Sequence, residues 1–83
     1  MRYRPVFSDS AVVFFASLSR RRQRKFLDRA LELAGDPFLV PDFRSEDDDG
    51  REIGHVLVDD FIFSYWPDHA TRVVMIVDVE DGE

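Results

Sequence analysis

Phe61-Ile62-Phe63-Ser64-Tyr65-Trp66 is the stretch on which the fold of this chain turns. Aromatic and β-branched residues alternating at period two suit a pleated, half-buried surface. Phe61, Phe63 and Tyr65 fall on one face of such a strand, and Ile62, Ser64 and Trp66 on the other. Strand-like segments flank the run, Arg51–Asp59 before it and Arg72–Val79 after it. Val58-Asp59-Asp60-Phe61 and Pro67-Asp68-His69-Ala70 read as the two turns, with Asp as turn former. The run is thus the predicted middle strand of a three-strand antiparallel meander. In the last strand Val73, Met75, Val77 and Val79 are expected on one face, and Arg72, Val74, Ile76 and Asp78 on the other.

Toward the N-terminus the period changes. Tyr3–Phe7 reads as a short strand whose Pro5 suits a sheet edge. Ser8-Asp9-Ser10 offers capping side chains, and Ala11, Phe14, Phe15 and Leu18 then recur at helical spacing. Val12 and Val13 widen that stripe, so this short helix is expected to be buried on more than one side. Ser19 is a second cap, opening a helix to about Ala34 with a core stripe of Phe26, Leu27, Ala30, Leu31, Leu33 and Ala34. Gly35 and Asp36-Pro37 end it. Residues 38–50 read as irregular, closing on the acidic run Glu46-Asp47-Asp48-Asp49 before Gly50, a solvated loop without a calcium-ligand pattern. The expected architecture is α+β, in the order β-α-α-β-β-β. A helical hairpin packs on one face of a mostly antiparallel four-strand sheet, as one domain over residues 1–83.

Composition narrows the function classes. Eight Phe and 45% hydrophobic residues provide for a real core and argue against disorder. The absence of Cys removes disulfides and thiolate metal sites. No apolar run approaches the roughly 20 residues of a membrane span, so a soluble, cytoplasmic protein without membrane contact is expected. Residues 1–34 carry eight basic and three acidic side chains, and residues 35–83 carry three and fourteen, so net charges of +5 and −11 make up the overall −6. The surface should be two-signed, with phosphate contact confined to a local basic patch. No phosphate loop, nucleophile elbow or metal triad is visible, so neither a metal nor an organic cofactor is expected.

Tyr3-Arg4-Pro5-Val6-Phe7-Ser8-Asp9-Ser10-Ala11, Gly35-Asp36-Pro37-Phe38, the aromatic run through His69, and Val73–Val79 together resemble the RelE/ParE toxin superfamily. The likeness spans residues 3–80 and implies the toxin of a type II toxin–antitoxin pair, of the plasmid-stabilisation-like kind found in bacteria. Such toxins bind an antitoxin protein. RelE-like members are mRNA interferases that bind RNA in the ribosome and cut it without metal, whereas ParE-like members inhibit DNA gyrase. The cleavage chemistry requires cations at the scissile phosphate and acid/base groups. Ile62 stands where the family often has Arg, and Val79-Glu80-Asp81-Gly82-Glu83 is acidic where RelE-like chains are basic. Carboxylates there would repel RNA.

Arg51, His55 and Arg72 are the candidate catalytic residues. Arg51 matches the first basic position of the family's second strand, and His55 falls where some members carry a catalytic base. Imidazole is the side chain that exchanges a proton most readily near neutral pH. His55 also alternates with Ile53 and Leu57, which fits a packed or edge histidine. His69 reads as a surface turn residue and Tyr65 as core. Arg20, Arg21, Arg22, Arg24 and Lys25 crowd the start of the second helix, where positive charge opposes the helix dipole. They are candidate binding residues for RNA or an acidic antitoxin segment, unless the 46–49 loop neutralises them. Trp66, on the face away from the helices, is a candidate interface anchor. A non-catalytic interaction module, a gyrase-type inhibitor and a homodimer remain open at this level.

Overall fold

Phe61–Asp68 forms a strand, and its Phe61, Phe63 and Tyr65 side chains are only 0, 0 and 3% exposed. The computed structural model describes residues 2–82. Its elements in chain order are β1 (Arg4–Phe7), α1 (Asp9–Ala16), α2 (Arg20–Ala34), β2 (Phe43–Glu46), β3 (Glu52–Val58), β4 (Phe61–Asp68) and β5 (Val73–Asp81). The strands make one sheet in the order β1-β5-β4-β3-β2. β1 runs parallel to β5, and the other pairings are antiparallel. Pro5 sits on an edge strand, where its missing N–H costs no ladder bond.

Both helices start at the expected serines. Ser8 Oγ accepts the Ala11 N–H at 3.2 Å, and Ser19 Oγ accepts the Arg22 N–H at 3.3 Å. The helices cover one sheet face. Ala11, Phe26, Ala30, Leu33 and Ala34 pack there against Val56, Phe61, Phe63, Tyr65, Val74, Ile76 and Val79. Phe26 is the hub. Its ring centroid lies 5.5 to 6.1 Å from those of Phe7, Phe14, Phe15, Phe61 and Phe63, in tilted or edge-to-face geometry.

The sheet has five strands, not the four expected. The additional strand, β2, lies within the segment read as irregular, pairing antiparallel with β3 from Phe43↔His55 to Glu46↔Glu52. All four of its residues are exposed, so no alternation of burial marks it. Pairing alone makes it a strand. Asp42 extends the ladder by donating its N–H to the His55 carbonyl and accepting the Leu57 N–H on Oδ2, while Arg44 and Glu52 pair at 3.0 Å.

Two further expectations are corrected. Val12 and Val13 are 52 and 69% exposed and Leu27 and Leu31 are 42 and 60% exposed, because the sheet is covered by a narrower stripe of each helix than its apolar content suggests. In β5 the strict alternation breaks. Ser64 pairs with Asp78 but Tyr65 with Ile76, so Val77 bulges out and the inward set becomes Val74, Ile76 and Val79. The freed Val77 carbonyl accepts the Ser8 and Ser10 hydroxyls at 2.7 and 3.1 Å. The serines at the start of α1 thus also satisfy the bulge.

Candidate functional site on the open sheet face

The face away from the helices is open. On it stand Phe43 and Ser45 of β2, Ile53, His55 and Leu57 of β3, and Ile62, Ser64 and Trp66 of β4. Trp66 is half-buried there, as its strand position dictates. The Arg51 guanidinium carbon lies 4.0 Å from the Trp66 ring centroid, a cation–π contact at the mouth of β3. Beyond Trp66, Asp68 Oδ1 accepts the N–H groups of Ala70 and Thr71 at 3.1 and 3.3 Å. The Thr71 hydroxyl, those two N–H groups and the charge of Arg51 hold the Asp68 carboxyl below the ordinary range, against an opposing desolvation.

His55 lies deeper along the same face. Its Nδ1 is 2.8 Å from Ser64 Oγ and its Nε2 is 2.7 Å from Ser45 Oγ. Phe43 stacks on the ring at 4.4 Å and 11°. The imidazole is therefore fixed on three sides by neighbours on the two flanking strands, β2 and β4. Arg72 occupies the β4–β5 turn at the Asp68 end, with φ 57°, and its carbonyl accepts the Arg4 N–H. It enters the sheet on the β5 side of β4, whereas Arg51 enters on the β3 side. Among the contacts of the described residues, Arg51 belongs with Trp66, His55 with two serines, and Arg72 with the β4–β5 turn.

Ser45, Ser64 and Phe43 were not singled out in the sequence. They become visible only once β2 exists and its register is known, because Phe43 lies directly across from His55 and Ser45 two pairs along, on the same face. His69 is exposed, but it is not a bare turn residue. Tyr3 Oη lies 2.6 Å from its Nδ1, and Phe38 stacks on it at 4.9 Å. Tyr65 is core as expected, its hydroxyl donating to the Leu39 carbonyl at 3.4 Å, and burial pushes its phenol up.

The basic start of α2 lies at the other end of the molecule's charge. Arg22 pairs with Asp60 at 3.5 Å and also with Asp81, and its guanidinium sits 5.1 Å from the Phe61 ring. Lys25 Nζ is 3.0 Å from Asp60 Oδ1 and 3.4 Å from Asp59 Oδ1. The hydrogen bond from Lys25 is the leading cause that lowers the Asp60 carboxyl and, reciprocally, raises the Lys25 ammonium. The neutralising carboxylates are therefore Asp59, Asp60 and Asp81, not the 46–49 loop. In that loop Asp47 Oδ1 instead accepts the N–H groups of Asp49 and Arg51. Arg20, Arg21 and Arg24 remain exposed. Among the described residues, no group of three or more His, Asp or Glu side chains is placed to hold a metal ion.

No protein-family model and no curated protein sequence matches the chain. Solved structures do. A chain of the RelBE toxin–antitoxin complex from Mycobacterium tuberculosis superposes with a TM-score of 0.76 at 17% identity, covering 98% of this chain and 99% of its own. The archaeal RelE–RelB complex of Pyrococcus horikoshii gives 0.71 at 19%, covering 99% and 97%. The isolated RelE toxin of Escherichia coli gives 0.71 at 15%, covering 98% and 85%. With its helical pair on one face of an open, mostly antiparallel sheet, this chain has the RelE toxin fold.

Proposed function

We propose that the chain is the toxin of a toxin–antitoxin pair, held by an antitoxin protein and acting in the cytoplasm on ribosome-bound mRNA. The observation that carries this reading is the near end-to-end superposition on chains of two RelE–RelB complexes and on an isolated RelE toxin, at TM-scores of 0.71 to 0.76. Two of those come from complexes with an antitoxin. Two surfaces here support a protein partner. One is the open face around Trp66. The other is an apolar groove of about 260 Å³ lined by Phe7, Ala11, Val12, Phe15, Phe26 and Leu27. In the cleavage step Arg51 and Arg72 would stabilise charge on the phosphate and His55 would move the proton.

A second reading, a non-catalytic binding module or gyrase-type inhibitor, is favoured by one observation. Asp59, Asp60 and Asp81 cover Arg22 and Lys25, so part of the basic cluster is already neutralised. The two readings separate on one variant. Replacing Arg51, His55 and Arg72 together with Ala should abolish toxicity while the circular-dichroism spectrum still shows a folded protein. Full toxicity in the folded triple variant would refute the assignment of cleavage to these residues.

A further inference from the structure

We infer that His55 does not meet its substrate directly but works through Ser64, whose hydroxyl is the group that exchanges the proton. This inference rests on the cleavage reading above. Both imidazole nitrogens are already engaged, Nδ1 with Ser64 at 2.8 Å and Nε2 with Ser45 at 2.7 Å. Phe43 lies flat against the ring at 4.4 Å, closing one of its faces. No ring nitrogen can reach a substrate hydroxyl without first surrendering a serine.

The two serines are not equivalent. A neutral imidazole has one N–H and one bare nitrogen, so one serine must accept from it and the other must donate to it. Ser45 is exposed on the edge strand, where water can take its proton. Ser64 is half-buried on the central strand, and among the described residues His55 is the one hydrogen-bond partner its hydroxyl has. A half-buried hydroxyl is costly to leave undonated. Ser64 O–H therefore points at a bare Nδ1, and Nε2–H points at Ser45 Oγ.

Ser64 also faces the right way. It lies two residues before Trp66 on the same face of β4, the residue against which Arg51 is stacked. As a substrate hydroxyl gives its proton to Ser64 Oγ, Ser64 passes its own proton to Nδ1. The ring becomes an imidazolium that donates to both serines. The freed substrate oxygen keeps its electron pair for attack on phosphorus, and as the phosphorus–oxygen bond to the leaving group breaks, Ser64 gives its proton to the departing oxygen and recovers one from Nδ1–H. No proton is gained or lost over the cycle. Ser64 is thus a catalytic residue in this scheme, while Ser45 and Phe43 are positioning residues that set the tautomer and plane of His55.

The test has two parts that fail separately. The first is the long-range nitrogen–proton NMR spectrum of ¹⁵N-histidine-labelled protein at a pH where His55 is neutral, which needs no substrate. A proton on Nε2, with tautomer mixing in Ser45→Ala, is the expected result; a proton on Nδ1 overturns the inference, because Ser64 would then be an acceptor. The second is cleavage of a translated mRNA in a purified translation system. Ser64→Ala should slow cleavage about 100-fold, as loss of a general acid–base group does, and Ser64→Thr should restore it. Wild-type rates in a folded Ser64→Ala variant overturn the inference. No cleavage by the unsubstituted protein would refute the cleavage reading instead, and with it the catalytic role of Ser64, leaving the tautomer result to decide the hydrogen-bond assignment alone.

Discussion

Arg51 lies over Trp66, with its guanidinium carbon 4.0 Å from the ring centroid, on the one sheet face the helices leave uncovered. A cation–π contact at an exposed site contributes only about 0.5–1 kcal/mol. Arg51→Ala should therefore shift the unfolding midpoint little. Because Trp66 is the chain's single tryptophan, its fluorescence reports this face directly. Arg51→Ala should change the emission of the folded protein, and an antitoxin segment bound on this face should change it again.

If Trp66 anchors that partner, Trp66→Ala should weaken antitoxin binding about 30-fold, the effect of losing a hot-spot side chain. Calorimetric titration of the folded variant checks this. Unchanged affinity would move the antitoxin to the groove beside Val12 and Leu27.

Phe26 is 1% exposed and touches five other phenylalanine rings across both layers. Phe26→Ala should cost about 3–5 kcal/mol, a large fraction of the stability of so short a chain. Urea denaturation should show the variant largely unfolded at room temperature, while Leu27→Ala, on an exposed turn of the same helix, should be nearly silent.

Ser8 and Ser19 are both helix caps, but Ser8 also donates to the Val77 carbonyl at 2.7 Å. Ser19→Ala should cost about 1 kcal/mol, the usual value of a cap. Ser8→Ala should cost about twice that, since it also strips a partner from the bulge carbonyl. Equal losses in denaturant titrations would mean that water replaces the serine at the bulge.

The Lys25–Asp60 pair sets a pH dependence. The Asp60 carboxyl is held below its ordinary value in the folded state, so the pair's contribution is present above the ordinary carboxylate range and fades as the pH falls through the lowered value. Lys25 is raised above 10.5, so the same contribution fades again as alkali titrates the ammonium. Asp60→Asn should lower the unfolding temperature at pH 7 and converge with the unsubstituted protein near pH 2. A constant difference across that range would show that the pair contributes no charge-dependent stability.

Local chemistry made half of this molecule readable. The alternation of Phe61, Phe63 and Tyr65 gave the central strand and its buried face, and Ser8 and Ser19 marked both helix starts, because each signal is carried within a few residues. β2 was unreadable because Phe43–Glu46 is exposed on both faces and becomes a strand only by pairing. The β5 bulge was unreadable because the fit of α1 against Val77 decides it, not the valines themselves. Val12, Val13, Leu27 and Leu31 are apolar enough for a core, yet the sheet offers them nothing to cover. At the candidate site, Arg51, His55 and Trp66 were visible as residue types, but the serines that hold His55 depend on cross-strand register.

The most direct test of the toxin reading is controlled expression in a bacterial host, following growth with pulse-labelled protein and DNA synthesis. Growth arrest in which protein synthesis fails first, relieved by co-expression of the cognate antitoxin, is the expected result. Soluble, folded protein with no arrest would contradict it and leave the binding module. Arrest in which DNA synthesis fails first would contradict mRNA as the target and point to gyrase.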